Sequence, residues 1–199
     1  MSEISCDVIV IGAGPAGEVA AGRLADGGLE VVVVENHLVA GECSYYACMP
    51  SKALLRPGDL IDEARRIPGV KEAVTGDIDV ASALARRDEV IHDLDDSVQL
   101  PWLEDKGIRL VRGSGKLTGE KTVTAGEHEI TASRAVVIST GTRPAMPPID
   151  GLADSSPWNN RDATTAKKAP ASMLVLGGGP VGVEMAQAWA SFGTDVTLI

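Results

Sequence analysis

The chain has 199 residues, which is enough to bury a substantial core as one domain or as two small ones. Acidic residues outnumber basic residues by 28 to 18, and the net charge of -10 argues against a nucleic-acid partner or an anionic membrane surface. No apolar run approaches the roughly 20 residues of a membrane span, and the first residues lack the features of a signal peptide, so we expect a cytoplasmic protein without a membrane partner.

The start of the chain predicts a βαβ unit. Residues 8–11 are a continuous apolar run, which is typical of a strand buried on both faces of a parallel sheet. An Ala- and Leu-rich helix is expected over about residues 15–25, and a second buried strand over residues 31–34. The crossover between these strands should be right-handed.

The middle of the chain predicts helices and then a small sheet. Residues 51–66 have a helical pattern that Pro57 should kink or interrupt. Apolar residues within 78–106 recur near helical spacing, and their charged neighbours are expected to face solvent. Residues 108–138 predict a strand that leads into a small antiparallel meander, followed by a return to the main sheet.

A domain boundary is predicted after this sheet. Residues 142–171 are rich in Pro, Asp and Ser and are long for a structureless loop within a compact domain. The opening pattern of strand, glycine turn, helix and strand then returns near the end of the chain. We therefore expect one domain over residues 1–148, a linker over 149–171 and the start of a second nucleotide-binding domain over 172–199.

Two G-x-G-x-x-G turns each follow an apolar strand and open a helix, at Gly12-Gly14-Gly17 and at Gly177-Gly179-Gly182. In this context the first glycine permits the turn, the second lets a pyrophosphate approach, and the third packs the helix on the strand. Glu35 ends the next strand of the first copy and is placed to hold a ribose hydroxyl. The equivalent residue of the second copy, which would distinguish NAD from NADP, falls one position after Ile199.

Cys43 and Cys48 are five positions apart in "GECSYYACMPSK". A structural zinc site needs four Cys or His ligands, and Cys6 and the three histidines are scattered, so we expect no metal site. Five residues of an ideal helix rise about 7.5 Å, whereas a disulfide needs Cα atoms roughly 4.4–6.8 Å apart. A bridge therefore requires a distorted helix start, where the helix dipole favours a thiolate. From spacing alone, a redox pair and two thiols without redox function both remain open.

The cysteine segment, placed directly after a G-x-G-x-x-G…Glu unit, resembles the active-site segment of the class I pyridine nucleotide-disulfide oxidoreductases. That family includes dihydrolipoamide dehydrogenase, glutathione reductase and mercuric reductase. "STGTRP" is similar to its second flavin-contacting motif, and "GGGPVGVEMA" is similar to its pyridine-nucleotide turn. The resemblance implies an α/β fold: a FAD-binding Rossmann-like domain of the glutathione reductase type in three layers, with a small antiparallel β-meander, followed by the first βαβ of a second nucleotide-binding domain.

The resemblance also implies cofactors and roles. FAD and either NAD or NADP would be bound, Cys48 would take electrons from the flavin, and Cys43 would attack the substrate. Lys52 and Glu184 would form an ion pair near the flavin. The expected cofactor contacts lie on the matched motifs: Gly12, Gly14, Pro15, Ala16, Gly17, Glu35, Asn36, Gly41, Glu42, Cys43, Lys52, Gly115, Thr140, Gly141, Gly177, Gly179, Pro180, Val181, Gly182 and Glu184.

The activity implied is an electron relay between NAD(P)H, FAD and the Cys43–Cys48 disulfide, ending on a small-molecule disulfide or dithiol or on a soft metal ion. Glu42 departs from the family's usual threonine and places a negative charge beside the outer thiol. Tyr45 and Tyr46 are also unusual and are expected to line the substrate's approach.

Family members are more than twice as long, form homodimers and add a His–Glu pair from a later domain. We therefore expect these 199 residues alone not to turn over. The alternative to a flavoenzyme is a catalytically silent FAD- or nucleotide-binding fragment.

Overall fold

A computed structural model describes residues 2–199, which form a mixed α/β structure. The chain divides into two compact units. The first comprises the chain up to Cys43 together with Leu94–Arg143, and the second comprises Ser44–Asp93 together with Pro144–Ile199. Each unit contains one of the two glycine turns.

The first unit is built on a six-stranded sheet in the order β3-β2-β1-β6-β5-β4. Its strands are β1 (Ser2–Ile11), β2 (Val31–Glu35), β3 (Arg109–Arg112), β4 (Lys116–Gly119), β5 (Thr122–Ala125) and β6 (His128–Ile138). The four strands β3, β2, β1 and β6 are parallel, whereas β6, β5 and β4 pair antiparallel. The sequence prediction of a parallel sheet with an antiparallel meander is confirmed.

A single long strand, β6, joins the parallel sheet to the meander. Its first half pairs with β5, from Thr131 opposite Thr122 to His128 opposite Ala125. The whole strand also runs parallel to β1, with an irregularity in the register between Cys6 and Val8. Strand β1 therefore begins six residues before the predicted apolar run, because its first half, in which polar and apolar residues alternate, pairs with β6.

Helix α1 (Pro15–Asp26) completes the predicted βαβ unit. Pro15 suits the first turn because its missing N–H would have no partner there. The four valines of β2 are at most 3 % exposed, as expected for a strand covered on both faces. One face packs with Ile9, Val111 and Ile130, and the other packs beneath α1 and the short helix α5 (Leu100–Asp105).

The second unit is mainly helical. It contains α3 (Cys48–Arg66), α4 (Val80–Val90), α6 (Asn160–Thr165), α7 (Pro180–Ser191), and the parallel strands β7 (Ser172–Val175) and β8 (Asp195–Leu198). Its core is formed by Leu54, Leu84, Met185, Trp189 and Phe192. Strand β7, helix α7 and strand β8 repeat the opening βαβ pattern, which confirms the predicted internal repeat. Helix α2 (Gly41–Tyr45) lies where the chain leaves the first unit.

Three stretches differ from the sequence expectations. Helix α3 begins at Cys48 rather than at Ser51 and continues through Pro57 without interruption. The stretch 78–106 is divided into α4, α5 and two 3₁₀ turns, His92–Leu94 and Ser97–Gln99. The division occurs because His92, Asp93 and Leu94 have φ angles of 50°, 51° and 64°, which no right-handed helix contains.

The predicted linker includes regular structure, namely a 3₁₀ turn at Ala153–Ser155 and helix α6. A further 3₁₀ turn lies at Lys71–Ala73. The predicted domain limits at residues 148 and 172 remain a prediction. Between Ser2 and Ile199 we find no helix with both the length and the apolar content that a membrane crossing needs.

Candidate functional site

The first glycine turn lies at the carboxyl ends of β1 and β6. Gly12 has a φ of +98°, and a Cβ there would stand 2.3 Å from the carbonyl oxygen of Ser139. A Cβ on Gly17 would stand 1.9 Å from the carbonyl oxygen of Gly12. These two positions therefore require glycine for packing, whether or not a ligand is bound.

Gly14 has a different reason to be glycine. Its φ of -74° and ψ of -177° are open to any residue, and a Cβ there would meet only the Cα of Gly41, at 4.0 Å. Gly14 is the N-cap of α1, and no side chain caps the helix start. The first-turn amides of α1 are therefore left for a ligand, and the exposed Pro15 and Ala16 flank them.

Glu35 closes the turn from the neighbouring strand. Its buried carboxylate accepts hydrogen bonds from the backbone N–H of Ala13 and of His37, both at 2.7 Å. Each carboxylate oxygen has a second lone pair, so these bonds leave acceptor capacity for a hydroxyl group. The structure thus adds a structural role to the predicted ribose contact, which stays a prediction.

The loop after Glu35 is held by a pair of residues that the sequence did not single out. Arg112 donates to the carbonyl oxygen of His37 at 2.8 Å and pairs with Asp96 at 2.7 Å. Asp96 also accepts the N–H of Val39 at 2.7 Å. Burial raises the pKa of Asp96, but the hydrogen bonds from Arg112 and Val39 and the charge of Arg112 outweigh it, so the net pKa is lowered.

The remaining predicted cofactor residues of the first unit lie near the same edge of the sheet. A Cβ on Gly115, which follows β3, would meet Ile11 at 2.9 Å and Val34 at 3.3 Å. Thr140 and Gly141 follow Ser139, whose N–H donates to Ile11 at 2.8 Å. The sheet thus gathers Gly12, Glu35, Gly115 and Thr140 at the carboxyl ends of its parallel strands, where open α/β sheets bind ligands.

The two predicted redox cysteines belong to different helices. Cys43 lies in α2 and is half-buried, and Cys48 is the exposed first residue of α3. Between the helices, Ala47 has a φ of -129° and a ψ of -96°, so the helical path is broken. This break is the distortion that the spacing argument required. All three cysteines within residues 2–199 are present as thiols.

Tyr45 and Tyr46 do not lie where we expected. Their exposed fractions are only 1 % and 8 %, so the prediction that they line the substrate's approach is wrong. Tyr45 is the buried last residue of α2, and the ring of Tyr46 is covered by Arg161, whose guanidinium carbon lies 4.5 Å from the ring centre. Glu42, the other unusual residue, is half-buried in the first turn of α2, next to the half-buried Gly41.

The expected ion pair between Lys52 and Glu184 is present in the second unit, with Nζ 2.6 Å from Oε1. The hydrogen bond from Lys52 lowers the pKa of Glu184; partial burial opposes it, and Ser51 and the charge of Lys52 add to the lowering. The buried hydroxyl of Ser51 also lies 3.3 Å from the carbonyl oxygen of Cys48. Ser51, which the sequence analysis did not single out, thus connects the ion pair to the start of α3.

The second glycine turn has the geometry of the first. Gly177 has a φ of +109°, and a Cβ on Gly182 would stand 2.1 Å from the carbonyl oxygen of Gly177. Gly179 caps α7 with a φ of -73° and a ψ of 171°, and Pro180 follows it. Val181 is 52 % exposed, and a Cβ on Gly179 would meet no atom within 4 Å. The N-terminus of α7 is therefore open to a ligand.

No group of three or more His, Cys, Asp or Glu side chains that could hold a metal ion occurs in the part of the chain that the structure describes. Each unit therefore has its own candidate residues: the first has the open N-terminus of α1. The second has the open N-terminus of α7 and the Lys52–Glu184 pair. Such helix starts bind phosphate groups because their amide N–H groups are unpaired.

Known proteins with similar sequences are named dihydrolipoyl dehydrogenases and mercuric reductases. The chain is 32% identical over 199 residues to the dihydrolipoyl dehydrogenase of Halobacterium salinarum, covering 97% of this chain and 42% of that one. It is 28% identical over 200 residues to the mercuric reductase of Lysinibacillus sphaericus, covering 100% of this chain and 36% of that one. The chain therefore spans less than half the length of these relatives.

A solved structure shows the same fold. The HOCl-induced flavoprotein disulfide reductase RclA from Escherichia coli, in its Cu(II) complex, superimposes with a TM-score of 0.78 at 26% identity. The match covers 97% of this chain and 41% of RclA. Because the sequence profile described as pyridine nucleotide-disulphide oxidoreductase matches residues 6–199, the chain belongs to that family, whose members use FAD and a pyridine nucleotide.

Proposed function

We propose that this chain is the FAD- and nucleotide-binding part of an NAD(P)H-dependent disulfide oxidoreductase whose redox centre is the pair Cys43 and Cys48. The Lys52–Glu184 ion pair is the observation that supports this most directly. It joins the helix that Cys48 begins to the helix that the second glycine turn opens. Two motifs that are far apart in the sequence thereby meet within one unit, as an electron path between a nucleotide and a thiol requires.

The residues of the first unit fit FAD. The unpaired amides at the start of α1, behind Gly14, offer a place for its pyrophosphate, and the acceptor capacity of Glu35 suits a ribose hydroxyl. Glycine at position 14 leaves the start of α1 without a side chain at its N-cap, although the backbone there does not demand glycine. When bound, FAD supplies two-electron transfer between the nicotinamide and the dithiol.

The cysteine chemistry is thiol–disulfide exchange in two steps. The Cys43 thiolate attacks one sulfur of the substrate disulfide, forms a mixed disulfide and releases the first substrate thiolate. The Cys48 thiolate then attacks the Cys43 sulfur and releases the second substrate thiolate. The substrate is reduced by two electrons, and the protein is left with a Cys43–Cys48 disulfide.

Lys52 and Glu184 serve this chemistry through charge. The lowered pKa of Glu184 keeps its carboxylate ionised at neutral pH, and the carboxylate in turn holds the Lys52 ammonium in place. Lys52 lies one helical turn after Cys48. We assign it to electrostatic support of the reduced cofactor and the nearby thiolate.

Three relatives guide the substrate class. Two are named for dihydrolipoyl and for mercuric reduction, and the third is a disulfide reductase in complex with Cu(II). We propose a small-molecule disulfide or dithiol, or a soft metal ion held by two thiolates, as the substrate of the whole protein. The homodimer implied by the family resemblance and the cytoplasmic location expected from the sequence both remain predictions.

The test is spectroscopic and chemical. Protein purified with FAD should be yellow, should bleach on anaerobic addition of NADH or NADPH, and should then show two additional thiols by alkylation and mass spectrometry. The control is the Cys43→Ser, Cys48→Ser double variant, which should gain no thiols. A yellow protein whose thiols do not respond to either nucleotide would contradict the redox assignment. A colourless one would favour the silent fragment.

A further inference from the structure

The chain between the two cysteines contains a bend with an incomplete hydrogen-bond ladder. Helix α2 ends at Tyr45, α3 begins at Cys48, and Ala47 has a non-helical conformation. The N–H of Ser51 donates to the carbonyl oxygen of Ala47 at 3.0 Å. Four positions after Tyr46, however, stands Pro50, which has no N–H to donate to the Tyr46 carbonyl oxygen.

Helix α6, from the predicted linker, provides a donor at this carbonyl. The hydroxyl of Thr164, a residue only 2 % exposed, lies 3.0 Å from the Tyr46 carbonyl oxygen. It also lies 2.9 Å and 3.3 Å from the carbonyl oxygens of Asn160 and Arg161, with which its single proton is shared. Because buried carbonyl groups are costly to leave unpaired, this hydroxyl stabilises the bend.

A second contact between the same elements involves charge and an aromatic ring. The guanidinium carbon of Arg161 lies 4.5 Å from the centre of the Tyr46 ring. Arginine over an aromatic face is attracted by the ring's quadrupole. Helix α6 therefore contacts both the backbone and the side chain of the residue two positions before Cys48.

Helix α6 is itself fixed at both ends. A reciprocal capping box between Asn159 and Asp162 stabilises its start. At its other end the fully buried guanidinium of Arg87 donates to the carbonyl oxygens of Thr164 and, at 2.9 Å, of Ala166. Asp88 pairs with Arg87 at 2.9 Å, so the buried charge has a partner.

We propose that Thr164 and Arg161 are positioning residues for the redox pair: they hold the Tyr46–Ala47 bend in the conformation that lets Cys48 close a disulfide with Cys43. This inference rests on the proposed redox function and explains the unusual Ser-Tyr-Tyr-Ala sequence between the cysteines. Tyr46 is buried because it contacts helix α6 of the predicted linker, and this contact holds the bend.

The expected consequence is a change in the dithiol–disulfide equilibrium. Loosening the bend increases the conformational freedom that disulfide formation removes, so the disulfide becomes less stable relative to the dithiol. We expect Thr164→Val, which keeps the side-chain shape but removes the hydroxyl, to lower the equilibrium constant for disulfide formation about three- to tenfold. That corresponds to a rise of about 15–30 mV in reduction potential for this two-electron couple.

The experiment is a glutathione redox titration of the FAD-loaded protein, in which oxidised glutathione takes two electrons from the dithiol and becomes two reduced molecules. Alkylation followed by mass spectrometry reads the Cys43 and Cys48 thiols directly and needs neither nucleotide nor turnover. Thr165→Val is the matched control, because the Thr165 hydroxyl bonds the Arg161 carbonyl oxygen at 2.7 Å within the same helix. Thr164→Ser should restore the wild-type potential.

Arg161→Met should shift the potential in the same direction, whereas Lys168→Met, which removes another exposed cation of the same connection, should not. Circular dichroism and thermal melting identify any variant that fails to fold, and if Thr164→Val fails to fold, Arg161→Met decides the question. A wild-type potential in Thr164→Val and Arg161→Met would overturn the inference and leave the proposed function intact. If the wild-type protein forms no Cys43–Cys48 disulfide at any ratio of oxidised to reduced glutathione, the proposed function itself is overturned.

Discussion

The Lys52 ammonium lies 2.6 Å from the Glu184 carboxylate, and the two side chains are 61 % and 34 % exposed. Exposed pairs of this kind add between zero and about 1 kcal/mol to stability. Such a contribution is small, although the pair joins the cysteine-bearing helix α3 to helix α7 of the second glycine turn. The electrostatic effect of the pair is the lowered pKa of Glu184, to which the hydrogen bond from Lys52 contributes most.

The first prediction concerns acid stability. The pKa of Glu184 is lowered in the folded chain, so its contribution is complete above the ordinary glutamate pKa of about 4.3 and is lost as the pH falls through the lower folded value. Glu184→Gln should therefore flatten the decline in the free energy of unfolding below about pH 4.3. The measurement is urea unfolding from pH 3 to pH 7. Glu63→Gln, on the exposed surface of α3, should keep the wild-type slope.

The second prediction separates the roles of the two cysteines. In the reduced, FAD-loaded protein, Cys43→Ser should retain a long-wavelength thiolate–flavin charge-transfer absorbance, and Cys48→Ser should abolish it. The reason is that only Cys48 is assigned to the flavin side. Identical spectra for the two variants would refute this division of roles. Cys6→Ala should behave as wild type, because Cys6 is buried in the sheet core.

The third prediction separates ligand binding from packing at the first glycine turn. Gly14→Ala should fold normally, because its Cβ would meet only one atom, at 4.0 Å. We expect it to bind FAD at least tenfold more weakly, because the proposed pyrophosphate position lies at this turn. Gly17→Ala should instead destabilise the fold by about 1–3 kcal/mol through its 1.9 Å contact with Gly12. FAD titration and thermal melting measure the two effects.

Gly179→Ala offers the corresponding comparison at the second turn. A Cβ there would meet no atom within 4 Å, so the thermal midpoint should be unchanged while NAD(P)H binding weakens. If Gly14→Ala and Gly179→Ala both bound their ligands normally, the assignment of these helix starts to phosphate groups would have to be abandoned.

Much of the fold and of the candidate site could be predicted from the sequence, because short sequence motifs indicate them. The glycine turns and the buried valine strand are each contained in a short stretch, whereas the pairing of Lys52 with Glu184, 132 positions away, was expected only from the family resemblance. The contact of Thr164 with Tyr46 could not be predicted, since it joins residues 118 positions apart through a helix in an apparently irregular segment. The Arg112–Asp96 pair could not be predicted either, because the sequence does not indicate which charged residues pair with each other.

The start of β1 is also determined by its pairing with β6, a strand much later in the sequence. Ser2–Cys6 alternates polar and apolar residues and does not predict a strand buried on both faces. It becomes strand because the first half of β6 lies beside it. Likewise, the periodic apolar residues within 78–106 gave no sign that three consecutive residues turn left-handed.

The fourth prediction tests that left-handed turn. Asp93 has a φ of 51° and is exposed, and its neighbours His92 and Leu94 share the conformation. A left-handed conformation costs an L-residue roughly 1–2 kcal/mol, whereas glycine adopts it freely but gains freedom in the unfolded chain. Asp93→Gly should therefore raise the free energy of unfolding by about 0.5–1 kcal/mol.

The opposite substitution sharpens the same test. Asp93→Val introduces a β-branched residue, for which a positive φ is a severe strain, so it should destabilise the chain by more than Asp93→Gly stabilises it. Glu89→Gly, on the last turn of the regular helix α4, should lower the free energy of unfolding by up to about 1 kcal/mol. Chemical denaturation measures all three. Stabilisation by Asp93→Gly together with destabilisation by Glu89→Gly separates a left-handed turn from a continuous helix, because a helix through Asp93 would be weakened by glycine at both positions.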